Sequence, residues 1–194
     1  LVREDLAETL ALAIDDAALF GVGSGNVIRG LANTPGINTI NTATEMSYDL
    51  LLDMQGFAED ANALNRPNLN EGFIGHSKTW RKLKKQKVLQ YSGDTDGMPL
   101  FAPIVSDAKL QEQIGTPIYK GNQLDLHKNG NNYPLFFGAW SDMLVGFWQG
   151  IILSTDGGGK FFQKDQFAIK AIAQVDTNVR QEKSFTYAKE VISA

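Results

Sequence analysis

Few residues in this chain have types and spacings suited to chemistry. His76 and His127 are its two histidines. They lie far apart, and neither stands at a His-x-x-x-His or comparable ligand spacing, so no metal centre is indicated. The carboxylate pairs Asp15-Asp16 and Glu59-Asp60 fall in helical patterns. Adjacent helix residues diverge by about 100°, so these pairs read as solvated surface and not as an acid and its base. Gly23-Ser24-Gly25 is too short for a nucleophile elbow, although a Ser-His-Asp triad gathered from distant positions stays open. There are no cysteines, which removes thiol nucleophiles, disulfides and cysteine metal sites together. The expectation is no enzyme, with no catalytic residue, no cofactor-binding residue and no metal ligand.

Three segments could bind rather than react. The loop Gly21-Val22-Gly23-Ser24-Gly25-Asn26 is glycine-rich. A phosphate cradle needs a strand before the glycines and a helix after them, or a following Lys-Ser or Lys-Thr. Here a helical pattern comes first, so the loop reads as a helix-ending turn. Lys78 to Lys87 carries Lys78, Arg81, Lys82, Lys84, Lys85 and Lys87 with no acid. It reads first as a solvated helix face. An electrostatic contact with nucleic acid or with an acidic neighbouring subunit is the alternative. Phe136, Phe137, Trp140, Phe147 and Trp148 cluster in a strand region and read as core, with an interface patch second.

The elements that must carry these residues follow from periodicity. Leu6, Leu10, Ala13, Ile14 and Ala17 predict a helix from Arg3 to Phe20, with Gly21 as its cap. Leu50, Met54, Phe57, Ala61 and Leu64 predict a second helix, starting at Thr44 to Ser47 and ending at Asn65 to Asn68. Between these helices Asn33 to Thr44 reads as loop or short strand. Gly72 to Gly75 is a short buried strand, and Ser77 the N-cap of a third helix reaching Lys87. Tyr91 to Pro103 reads as loop, Ile118-Tyr119 as a strand start, and Asn129 to Asn132 as a turn. Leu135 to Trp140 and Met143 to Ser154 read as strands, and Gly157 to Gly159 as a loop. Phe167, Ile169, Ala171, Ala173, Val175, Thr177 and Val179 alternate over a strand of about 40 Å at roughly 3.3 Å per residue. Phe185 to Ile192 is expected to return beside it.

Composition sets outer bounds only. The 194 residues are 43% hydrophobic and 21% charged, ordinary for a globular chain. Eighteen basic against 22 acidic residues give a net charge of −4, which does not announce a nucleic-acid binder. No run approaches the roughly 20 apolar residues of a membrane span. Glu4 and Asp5 stand where a signal peptide would be basic.

The order of motifs carries more. Ala13-Ile14-Asp15-Asp16-Ala17-Ala18-Leu19-Phe20-Gly21, followed by Gly23-Ser24-Gly25-Asn26 and Arg29-Gly30-Leu31, resembles the spine-helix end of tailed-bacteriophage major capsid proteins of the Hong Kong 97 type. Gly75 to Leu83 is similar to that family's strand-then-helix segment. Gly115-Thr116-Pro117-Ile118 is similar to its Gly-x-Pro-Val turn, Gly138 to Asp142 to its Gly-Gly-Phe-Asp strand end, and Phe167 to Val179 to its long strand. The resemblance implies an α+β fold. An axial-domain sheet flanked by helices would join a partial peripheral domain holding the end of the spine helix and long antiparallel strands. It implies a division into 1–30 and 156–194 (peripheral) and 31–155 (axial).

The resemblance also implies function. Such a subunit self-assembles, as hexamers and pentamers of the full-length parent, into an icosahedral phage or prophage head. The head is a virion capsid built in the bacterial host cytoplasm. Packaged double-stranded DNA is an indirect partner, a scaffold or maturation protease a further one, and a membrane is not. Encapsulin-like bacterial compartments share the fold and stay open as an alternative. A soluble phosphate-binding or nucleic-acid-binding domain is the alternative of another class. The family's N-terminal arm and extended loop precede the spine helix, and the chain opens inside that helix, so both are expected to be missing. Some members crosslink subunits through an Asn just before the long strand. Asp165, after Lys164, stands at that position, and an ionised carboxylate is a poor electrophile, so no crosslink is expected there.

Overall fold

A computed structural model describes residues 2–88, 98–99, 107–156 and 167–193. In chain order the elements are α1 (Val2–Phe20), β1 (Asn38–Ile40), β2 (Thr44–Glu45), α2 (Tyr48–Asp60), β3 (Glu71–Gly75), α3 (Ser77–Lys84), β4 (Lys87–Val88) and β5 (Met98–Pro99). Then come α4 (Asp107–Ile114), β6 (Ile118–Lys120), β7 (Asn132–Ala139), β8 (Met143–Asp156), β9 (Ala168–Val179) and β10 (Phe185–Ile192). The loop expected over Tyr91 to Pro103 lies outside the described residues apart from β5. The Gly157 to Gly159 loop and the Lys164-Asp165 position lie outside them entirely.

The chain folds as two units, 1–34 with 143–180, and 35–142 with 181–194. This corrects the expected division at two places. Met143 to Asp156 pairs with β9 along its whole length and so leaves the central unit. Phe185 to Ile192 does not return beside the long strand. It pairs antiparallel with β7 and parallel with β1 and β2.

The second unit is built on a six-stranded sheet of order β1-β10-β7-β3-β6, with β2 also on β10. All but the first residue of β7 is buried, the mark of a strand covered on both faces. On one face Leu135 and Phe137 join Phe73 and Ile118, and α2, α3 and α4 cover them with Leu50, Leu51, Met54, Trp80, Leu83 and Leu110. Phe73 stands edge-on to Trp80 with ring centres 6.2 Å apart. On the other face Phe136 stacks on Tyr187 at 4.7 Å. Gly138 lies under the Phe185 ring, where an added Cβ would fall 2.2 Å from Cδ1.

The second helix begins as expected, with the Ser47 hydroxyl accepting from the Leu50 N–H at 3.1 Å. Its end and its face differ. Asn62 takes the left-handed conformation at φ 51°, and the Ala63 N–H reaches back to the Ala58 carbonyl at 3.0 Å. This stops the helix at Asp60, before Asn65. The buried face is Leu50, Leu51, Met54 and Ala58. Phe57 is 47% exposed, and Ala61 and Leu64 lie past the helix. The third helix also differs at its start. Its N-cap is His76, whose Nδ1 accepts from the Lys78 N–H at 3.2 Å.

The first unit holds α1 and the antiparallel ribbon of β8 and β9. These strands run 14 and 12 residues, where about five or six is usual. From Ile169 to Val179 alternate residues of β9 are at least half-buried, as the period of two predicts, whereas Phe167 is exposed. The α1 stripe is weaker than expected: Leu6, Leu10, Ile14 and Ala17 are half-buried and Ala13 is exposed.

Candidate functional site

The glycine loop closes on itself. Gly23 N–H donates to the Ile28 carbonyl at 3.1 Å and Gly30 N–H to the Gly21 carbonyl at 2.8 Å. At Gly21 an added Cβ would sit 2.2 Å from the Ile28 carbonyl oxygen, so close backbone approach requires glycine there. Asn33 Nδ2 caps the end of α1 by donating to the carbonyls of Phe20 at 2.9 Å and Gly21 at 3.0 Å. The loop thus sits at the carbonyl end of a helix, where the dipole repels anions. Sequence reading missed the Asn33 cap, because its partners lie a loop away.

Among the described residues, about half of the exposed large hydrophobic side chains lie on the ribbon. Every residue of β8 from Leu144 on is exposed, including Val145, Ile151 and Leu153. Phe147 is 58% and Trp148 72% exposed. Trp148 falls at a register shift, between the pairs Phe147 with Val175 and Gln149 with Gln174. Within the same unit it lines a groove of about 610 Å³ with Leu10, Ile14, Val27, Ala173 and Val175. The expected aromatic cluster therefore divides. Phe136 and Phe137 are core, Trp140 is half-buried with its Nε1 donating to the Gly72 carbonyl at 2.9 Å, and Phe147 and Trp148 face outward. Exposed apolar surface on this scale marks an interaction face.

On α3, Thr79, Trp80 and Leu83 are buried, while Lys78, Arg81 and Lys85 are exposed and Lys82 is half-buried. Lys78 Nζ donates to the Tyr133 hydroxyl at 2.8 Å. Lys84 turns aside to Asp107, at 2.6 Å, and Lys120 reaches the same carboxylate. These ammonium groups, Lys120 first and then Lys84, hold the Asp107 carboxyl below its ordinary range.

His76 is buried, its ring stacked on Tyr133 at 4.1 Å. Burial lowers its pKa from the usual 6.5, and the nearby Lys78, Lys128 and Arg81 push the same way against Asp125. His127 is exposed at the end of a 3-10 helix, Asn122–His127, that precedes β7. The Asp142 side chain is fully buried, paired with the Arg66 guanidinium, and accepts from the Ser184 hydroxyl at 3.0 Å. That carboxylate ties the end of β7 to the start of β10. Asp15, Glu59 and Asp60 are exposed, and Asp16 is half-buried. Among the described residues no three His, Cys, Asp or Glu are placed to share a metal ion. No helix among them is long and apolar enough to cross a membrane.

Comparison with known proteins agrees with this architecture. The chain is 22% identical over its full length to the major capsid protein of Halomonas phage phiHAP-1, and spans 29% of that protein. Among solved structures, the capsid of an empty GTA particle matches 98% of the chain and 71% of its own, with TM-score 0.68 and 16% identity. An encapsulin complex from Synechococcus elongatus matches the whole chain and 66% of its own, with TM-score 0.55 and 12% identity. These likenesses give the Hong Kong 97-type α+β fold, with a sheet flanked by helices. The model of the phage capsid family matches residues 1–189, a span that includes both units, and the chain belongs to that family.

Proposed function

We propose that this chain forms part of a major capsid subunit whose activity is binding copies of itself into an icosahedral phage or prophage head around packaged DNA. The exposed apolar ribbon carries the reading. A two-stranded ribbon alone is marginal in water, and one with Leu144, Phe147, Trp148 and Ile151 exposed calls for cover. Neighbouring copies supply it. In this reading the unit of 35–142 with 181–194 is the axial domain and the ribbon unit the peripheral one. Assembly takes place in the host cytoplasm, where a scaffold or protease acts on the full-length parent. The role is structural, without catalysis, and no isopeptide crosslink forms at Asp165.

Electron microscopy of the full-length parent tests this. Closed shells, or hexamers and pentamers, are expected. A parent that stays a small oligomer under all assembly conditions overturns the reading. The fold likeness to an encapsulin supports a second reading, a protein-filled compartment. Shells purified with a protein cargo and no nucleic acid would favour it.

A further inference from the structure

We infer that the exposed face of α3 is a contact surface for the phosphate backbone of double-stranded nucleic acid. Lys78, Arg81, Lys82 and Lys85 stand at i, i+3, i+4 and i+7 and so share one helical face. The stripe is about 10 Å long at 1.5 Å per residue. Duplex DNA presents roughly one charge per 1.7 Å of axis, so the stripe meets about six phosphate charges with four cations.

The fold holds this stripe still. Trp80 and Leu83 are fully buried on the opposite face, and Trp80 Nε1 donates to the Gly75 carbonyl at 3.3 Å. Lys78 is further fixed by the Tyr133 hydroxyl. Arg81 and Lys85 have no acidic partner among the described residues. Asp107, the carboxylate bonded to α3, is held by Lys84 and Lys120 and not by the stripe.

The chemistry favours a duplex backbone over the other polyanionic partners. A protein interface has an apolar centre and is more than half apolar in area, but the outward residues Ser77, Lys78, Arg81, Lys82 and Lys84 are all polar. Stacked single-stranded bases want aromatic platforms, and the aromatic residue of this helix, Trp80, is fully buried. The contact reads charge and no sequence, so it is weak for one chain and multiplied by many copies. It rests on the shell reading only for the source of the nucleic acid.

Fluorescence anisotropy with a mixed-sequence DNA duplex of about 30 base pairs tests it, scanning salt from about 50 to 200 mM. Binding to the chain should weaken with a slope of about −3.6 in log K against log salt, about −0.9 for each of the four cations. The triple variant Arg81→Gln/Lys82→Gln/Lys85→Gln should flatten that slope by roughly 3. A control, Lys170→Gln/Lys183→Gln/Lys189→Gln, should keep it, with circular dichroism of both variants unchanged. No duplex binding at the lowest salt overturns the inference, as does a slope shared by both variants. Equal binding of poly-glutamate at matched salt overturns it too. Electron microscopy of the unsubstituted parent separates the two readings: no shells, with the slope lost only in the triple variant, overturns the shell reading alone, and closed shells, with the slope shared by both variants, overturn this inference alone.

Discussion

His76 is both a cap and a buried imidazole, and the two roles make the same demand. Nδ1 accepts from the Lys78 N–H only when unprotonated, and burial against Tyr133 disfavours the charged ring. With a folded pKa below 6.5, the unfolded chain takes up a proton that the folded one refuses, so stability is full above 6.5 and is lost as pH falls. Urea midpoints should drop between about pH 7 and 5.5, and His76→Asn, which keeps an acceptor at the cap, should remove that drop. An unchanged pH profile in the variant would show that other groups carry it. Gly138 is a second residue-scale constraint. Gly138→Ala drives a methyl into the buried Phe185 ring and should cost about 1–3 kcal/mol in equilibrium unfolding, the range of overpacked cores. Such constraints are only half legible in sequence. The glycines of the Gly21 loop announce a turn, but the partner that caps it, Asn33, could be found only through the fold.

Among the elements, α3 and α2 show which patterns carry information. Trp80 and Leu83 were readable as a core face because they stand three apart in a run of cations, and both are fully buried. Trp80→Ala should lower stability by about 3–5 kcal/mol in urea unfolding. The extent of α2 was not readable, because the periodic pattern continued past a turn that depends on Asn62 adopting a positive φ. In β9 the alternation was legible because one face is buried and one is not. In β8 it was not, since residues kept apolar for a surface look the same in sequence as residues kept apolar for a core. The pairing of β10 depends on partners distant in the chain, which local periodicity does not encode.

For the whole molecule, the two units divide labour. The sheet unit fully buries Trp80, Phe73 and Phe137, whereas the ribbon unit leaves Phe147 and Trp148 outside. Substituting Phe147→Ser/Trp148→Ser should therefore leave the chain's thermal midpoint within about a degree, as surface changes usually do. The same change in the parent should abolish or sharply reduce shell formation, scored by sedimentation. A large fall in the midpoint with shells intact would place these side chains in the chain's own core instead.

The placement of β10 has a consequence for biosynthesis. It lies between β1 and β7 in the sheet, yet it is translated only after the whole ribbon. Until it emerges from the ribosome, β7 presents an unpaired edge flanked by Phe136 and Phe137, the kind of edge that recruits strands from other chains. Chains synthesised side by side can meet in that state before either has completed its sheet. Slow elongation through the ribbon codons lengthens the exposure, and the yield of correctly folded subunits becomes a race between the arrival of β10 and capture of that edge by another nascent chain.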